Sequence, residues 1–345
     1  MKTETLKTKS PDYVRISLAA AMMLDLKGGL FHRNALSPCI NVLLTYDSGC
    51  AGSCAYCGLS LNRKGSYKEK SFIRVKWDPY LLSDIIERIK ARPGQVKRIC
   101  ISMITHQKAC KDTITIAGEI RKSLDIPLSV LLSPSVTRKK HLDELKRAGV
   151  QMAGIAVDCA REDIFEEIRG KGVGGPHRWE RYWECFHEAL EIFGKGNVGI
   201  HLIVGLGESE REMVALMEKI HSSGGSTHLF SFFPEGNSRL SGHPRPSLGH
   251  YRRIQLARYL IDENMAGEFA FNPPGKLTSF GLDSERLEKV IASGLPFMTS
   301  GCPNSGAADC NRPYSDSMPG EAIRNFPFLP EPGDIAAIRE ELGTP

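Results

Sequence analysis

The sequence has no apolar run long enough to cross a bilayer. Its longest candidate, ISLAAAMML at 16–24, is followed by the polar DLKGG, whereas a spanning helix needs about 20 apolar residues. The stretch reads instead as an amphipathic N-terminal helix, and no membrane association is expected. A secretory leader is also missing, so a cytoplasmic, reducing location is expected. Ten cysteines in such a compartment point to metal or redox duty rather than disulfides. No low-complexity tract or fixed-period repeat interrupts the chain. Strong charge of one sign is lacking too: 45 Lys and Arg against 40 Asp and Glu leave a net charge of +5. That balance gives no reason to expect nucleic-acid binding, but it favours an acidic partner.

What is present is concentrated in one place. Three cysteines in eight residues, Cys50-Ala-Gly-Ser-Cys54-Ala-Tyr-Cys57, follow an apolar run. Three thiolates at this spacing can hold three irons of a cubane iron–sulfur cluster and leave the fourth iron open, as a catalytic zinc keeps an open position. A structural zinc would want a fourth Cys or His nearby, and none lies between Cys57 and residue 99. A disulfide framework suits short secreted chains. With Tyr56 before its last cysteine, the C-x3-C-x-aromatic-C pattern resembles the signature of the radical S-adenosylmethionine (SAM) enzymes. The resemblance implies a [4Fe-4S] cluster on Cys50, Cys54 and Cys57 as catalytic centre, with S-adenosyl-L-methionine chelated by the open iron.

Strand-like and helix-like segments alternate from residue 40 to residue 300. Strands are expected at 40–46, 97–103, 127–133, 151–158, 197–207, 227–233, 267–272 and 295–300, each after the first preceded by a helix. The first of those helices is expected to open with Asp78 as N-cap and Pro79 at its first position. Alternation of this kind demands parallel pairing through right-handed crossovers. The expected fold is α/β, a (β/α)8 TIM-type radical SAM barrel with N- and C-terminal extensions. Its expected boundaries are a helical extension at 1–38, the barrel at 39–302, and a tail at 303–345 contributing to a second cluster. An open six-strand partial barrel with the last two units appended is the alternative.

Active sites of parallel barrels gather at the C-terminal ends of the strands, and the cluster loop leaves the end of the first strand. Asp158 ends the fourth, where it suits a ribose hydroxyl or a helix N-cap. Gly205-Leu206-Gly207-Glu208 ends the fifth, where glycines admit a flat ligand or simply make a turn. These pieces resemble the biotin synthase branch of the superfamily. The resemblance implies that Tyr56, Asp158, Gly205, Gly207 and Glu208 bind SAM, that Arg181 meets its carboxylate, and that Ser102 takes the place of the usual Gly-Gly-Glu loop after the second strand. Biotin synthase also carries cysteines on its second, third and fifth strands. Here only Cys100 answers, and LLSPS and GIHLI have none, so that sulfur-donor cluster is expected to be absent.

A different second iron–sulfur cluster is expected at the other end. Cys302 and Cys310 lie in a Gly-, Asn- and Pro-rich loop beyond the eighth predicted strand, with Cys110 and Cys159 as candidate partners on the same face. Together with Gly175-Pro-His-Arg-Trp-Glu-Arg-Tyr-Trp183 and the GCP…CNRP tail, this layout resembles the lipoyl synthases that work as a pair of radical SAM proteins. The resemblance implies sulfur insertion into a protein-bound octanoyl chain, making one or both C–S bonds of a lipoyl group. Its partners would be an octanoylated lipoyl carrier domain, a second radical SAM lipoyl synthase protein, and an electron donor of ferredoxin or flavodoxin type. The competing expectations are a biotin synthase-like enzyme acting on a small molecule (mutase, methylene transfer or cofactor maturation) and a non-catalytic iron–sulfur carrier.

Overall fold

The computed structural model describes residues 8–67, 69–302 and 314–343. The chain enters through strand β1 (Tyr13–Ser17) and the short helix α1 (Leu18–Met23), then runs through β2 (Cys39–Leu44), β3 (Trp77–Leu81) and α2 (Leu82–Lys90). Regular alternation follows: β4 (Arg98–Ser102), α3 (Ala109–Ser123), β5 (Leu128–Leu132), α4 (Lys139–Arg147), β6 (Val150–Asp158) and α5 (Glu162–Ile168). Helix α6 (Trp179–Phe193), β7 (Val198–Val204), α7 (Glu210–Ser222), β8 (Ser226–Ser231) and α8 (Leu248–Asp262) complete it. Beyond lie the hairpin β9 (Ala270–Asn272) and β10 (Lys276–Ser279), α9 (Ser284–Ala292) and α10 (Pro332–Leu342).

The expected α/β architecture is the one found. One eight-stranded sheet has the order β3-β1-β2-β4-β5-β6-β7-β8, and from β2 to β8 every pairing is parallel. Its apolar strand residues face α3, α4, α6, α7 and α8 in one continuous core, as burial on both faces requires of a parallel sheet. Among the described residues no ladder joins β3 to β8, so the parallel part is the six-strand partial barrel of the alternative reading.

The differences lie at the two ends. Within the segment expected to be a helical extension, β1 runs antiparallel between β2 and β3. Its Arg15 is buried, yet three of its nitrogens bond the carbonyls of Trp77 at 2.6 Å, Tyr67 at 3.2 Å and Lys70 at 2.9 Å. That arrangement satisfies a cation inside a sheet. Asp78 and Pro79, expected to start a helix, lie in β3 instead, and α2 begins at Leu82. An edge strand tolerates proline because its outward N–H has no partner to lose. The expected strand at 267–272 shrinks to β9, which pairs only with β10. Residues 295–297, expected in the eighth strand, form a 3-10 turn.

The open edge of β8 is covered by side chains of the C-terminal segments rather than by another strand. Ser300 Oγ accepts from Leu229 N at 2.9 Å, and Asp316 Oδ2 from Ser231 N at 3.2 Å. Arg252 of α8 then latches the tail, bonding Glu341 at 2.7 Å and the carbonyls of Ile323 at 2.6 Å and Arg324 at 2.7 Å.

Candidate active site

The three cysteines sit on the loop that leaves the C-terminal end of β2. Backbone bonds from several neighbouring segments hold that loop over the barrel mouth. Ala51 N donates to Thr105 O at 2.8 Å, Ala55 N to Ile168 O at 2.7 Å, and Leu240 N to Ala55 O at 3.0 Å. On the far side the buried Glu235 carboxylate accepts from Ser71 Oγ and, at 2.8 Å, from Arg74 N. The loop is therefore fixed by α5 and by the segments that follow β4 and β8, whose distant residues converge only on folding.

Cys54 is buried, while Cys50 and Cys57 are partly exposed. Backbone N–H groups already point at two of the sulfurs: Gly52 N lies 3.3 Å from Cys50 Sγ, and Leu59 N lies 3.4 Å from Cys57 Sγ. Burial pushes the Cys54 thiol up to about 11, and burial with its neighbours Cys54 and Cys50 raises Cys57 further. A cationic centre would draw the protons from thiols so placed. Among the described residues no three candidate ligands converge on one point as they would on a single ion. A cubane needs no such convergence, since each thiolate goes to its own iron. The donor set fits a [4Fe-4S] cluster.

Behind the loop runs a buried polar network. Tyr56 donates its hydroxyl to Asp158 Oδ2, and Arg169 Nη1 bonds the same oxygen. Arg169 Nη2 donates to Tyr182 Oη at 3.0 Å, and Tyr182 Oη lies 2.9 Å from His177 Nδ1. Asp158 is at the end of β6 as the sequence indicates, with φ of +66° after an irregularity in the β6–β7 register. Arg169 is the residue that reading the sequence did not single out as functional. Its only signal was an arginine beside a glycine, and its burial arises from the turn after α5.

The remaining expected positions separate. Ser102 ends β4 between Leu43 and Leu131, buried at the mouth. At Gly205, φ is +102° and Pro246 Cδ lies 2.6 Å from a would-be Cβ, so the glycine lets a proline of the same chain pack close. Gly207 has φ of +123°, and among the described residues Ile164 Cδ1 at 3.7 Å is the one atom within 4 Å of its Cβ position. Glu208 caps its own turn, accepting from Gly205 N at 2.6 Å and Leu206 N at 3.0 Å. Burial raises its carboxyl, and those bonds oppose the shift. Arg181 is engaged by Glu188 at 2.7 Å, Glu184 at 3.0 Å and the Thr137 carbonyl at 3.1 Å.

Among the described residues the expected second set of cysteines is not brought together. Cys310 lies outside the described residues. Cys110 is on α3, its thiol 3.2 Å from the Val136 carbonyl. Cys302 is not on the mouth face. Because the chain turns at 295–297 instead of forming a strand, Cys302 Sγ lies 3.6 Å from Oγ of Ser129, the second residue of β5. It lines a cavity on the lumen floor with Cys100, His201 and His228. Among the described residues neither ring nitrogen of the buried His228 has a hydrogen-bond partner. Above that floor the same strand faces carry Leu131, Ala156, Ile203 and Phe230.

The family model for the radical SAM superfamily matches residues 46–220. The chain belongs to that superfamily, which implies a [4Fe-4S] cluster and SAM and makes it an enzyme of that general kind. Among solved structures it is similar to methylornithine synthase (PylB), at 12% identity over 71% of this chain and 67% of that chain, with a TM-score of 0.50. It is also similar to the FeFe-hydrogenase maturase HydG from Carboxydothermus hydrogenoformans, at 14% identity over 94% and 70%, TM-score 0.50. A second HydG structure gives 12% over 79% and 61%, TM-score 0.52. At these identities the likeness is one of fold. No helix among the described residues is long and apolar enough to cross a membrane.

Proposed function

We propose that this enzyme inserts sulfur into an octanoyl chain carried on a lipoyl domain, as a lipoyl synthase of the paired type. The observation that carries the reading is the layering of the lumen: a three-thiol loop at the mouth, apolar Leu131, Ile203 and Phe230 beneath it, and Cys100 and Cys302 on the floor. Apolar side chains facing the lumen suit an alkyl chain, and soft donors below them suit a second iron–sulfur cluster as sulfur source. When bound, the first cluster and SAM supply one-electron chemistry and a hydrogen-abstracting 5′-deoxyadenosyl group. The chain's own residues orient that group and exclude water. The proposed partners are an acidic octanoylated carrier domain, a second radical SAM protein making the other C–S bond, and a ferredoxin- or flavodoxin-type donor.

The test incubates the anaerobically reconstituted protein with octanoyl-lysine carrier peptide, SAM and reductant, with mass analysis for added sulfur. A second reading is favoured by the separation of Cys110 from Cys302: a radical SAM reaction on a small molecule, needing no sulfide donor. Iron counting separates the two, since two cubanes give about eight irons per chain and one gives about four. Sulfur-free product with about four irons would move the assignment to the second reading.

A further inference from the structure

Arg98, at the start of β4, is a buried cation with no part in the function proposed above. Among the described residues Ser129 Oγ, at 3.3 Å, is the one hydrogen-bond partner of its side chain, and no carboxylate pairs with it. The other buried arginines are better served: Arg15 meets three carbonyls, and Arg252 meets Glu341. A buried guanidinium left this bare is costly unless an anion answers it. Arg98 can only donate, so Ser129 Oγ accepts from it. The Ser129 hydrogen then turns onward, toward the floor cavity and Cys302 Sγ at 3.6 Å. His228 lines the same cavity, and an imidazole carries an N–H in either tautomer. Among the described residues that N–H has no acceptor, nor has the hydroxyl of Ser226 two residues before it on β8. No Asp or Glu lines the cavity, whose volume is about 10 Å³, and one buried water needs about 10–15 Å³. A space of one heavy atom excludes carboxylate, phosphate and sulfate. Donors, a cation and soft thiols around it suit a soft monovalent anion.

We propose that the floor of the lumen is a hydrosulfide site, in which Ser129 Oγ and His228 donate to the sulfur and Arg98 balances its charge. A halide of like size would answer the same donors. The choice of hydrosulfide rests on the sulfur insertion proposed above, which needs inorganic sulfide beside Cys100 and Cys302. The anion site itself rests on the orphaned donors alone.

The test uses the full-length chain before iron loading, kept anaerobic in halide-free buffer. Thermal unfolding is followed against sodium hydrosulfide, sodium bromide and sodium sulfate, and crystals soaked in bromide are measured at the bromine absorption edge. Hydrosulfide and bromide are expected to raise the unfolding temperature along a saturable binding curve, and sulfate, too wide for the cavity, to give no such curve. Bromide is expected beside Ser129 and His228. Arg98→Met is expected to lose the saturable response to both anions, and His228→Leu to need more of either anion for the same shift. Bromide bound elsewhere, no saturable response to hydrosulfide, or an Arg98→Met chain that responds like the unsubstituted one overturns the proposal. If Arg98→Met does not fold, the bromide position and His228→Leu decide, and an unchanged His228→Leu response overturns it. Hydrosulfide bound by a protein that adds no sulfur to the octanoyl peptide would keep this site and strike the function proposed above.

Discussion

Asp158 and Arg169 form a buried ion pair directly behind the cluster loop, and the carboxylate oxygen that takes the guanidinium also takes the Tyr56 hydroxyl. Both side chains are nearly sealed from solvent, at 12% and 8% exposure, so removing one partner leaves the other charge uncompensated. Arg169→Met is expected to destabilise the protein by about 3–5 kcal/mol in urea denaturation. The double variant Arg169→Met/Asp158→Leu is expected to lose less than the single one, because no orphan charge remains.

Two glycines separate backbone conformation from steric crowding. Gly174 has φ of +65° and open space at its Cβ position, whereas Gly205 has φ of +102° and Pro246 2.6 Å away. Gly174→Ala is expected to cost about 1 kcal/mol and Gly205→Ala about 1–3 kcal/mol beyond that. Thermal or urea unfolding of the two variants checks the order.

The cysteines divide by place. Cys54→Ala is expected to remove the cluster's visible absorbance and abolish SAM cleavage, because its thiol is the buried corner of the tripod. Cys110→Ala is expected to leave iron content unchanged, since its thiol faces the Val136 carbonyl on the helical side. Iron assays on both variants decide.

Two lumen imidazoles set an acid limit. Burial lowers His201 to about 4, and burial with the neighbouring His201 and Arg258 lowers His228 well below its ordinary value. Below about pH 6.5 the unfolded chain binds protons that the folded one refuses, so the stability they contribute is full above that pH and falls on acidification. Each is expected to cost about 1.4 kcal/mol per pH unit, for His201 until about pH 4. Urea denaturation of the apoprotein at stepped pH should show a shallower slope for His201→Gln.

The parallel strands and their helices were legible because burial on both faces writes continuous apolar runs such as INVLLTY and NVGIHLIVGLG, and because helix faces repeat every three to four residues. The strands β1 and β3 were not. Asp78-Pro79 reads locally as a helix start, and nothing beside Arg15 in the sequence signals its burial, which the carbonyls of residues 67, 70 and 77 explain. The three-cysteine loop was legible from its spacing together with Tyr56. Arg169 and His177 were not, since their burial comes from three-dimensional convergence of the α5–α6 turn on the loop. Cys302 was misplaced because one strand expected from its apolar residues is a turn.

The covering of β8 has a consequence for how molecules of this protein meet each other. Bare strand edges recruit neighbouring chains, and here the hydroxyl of Ser300 and the carboxylate of Asp316 occupy the positions a foreign backbone would claim. The tail thus acts as a guard against sheet-to-sheet assembly. A chain ended before residue 298 would carry an unprotected flank and polymerise or precipitate, even with the Cys50, Cys54 and Cys57 loop intact.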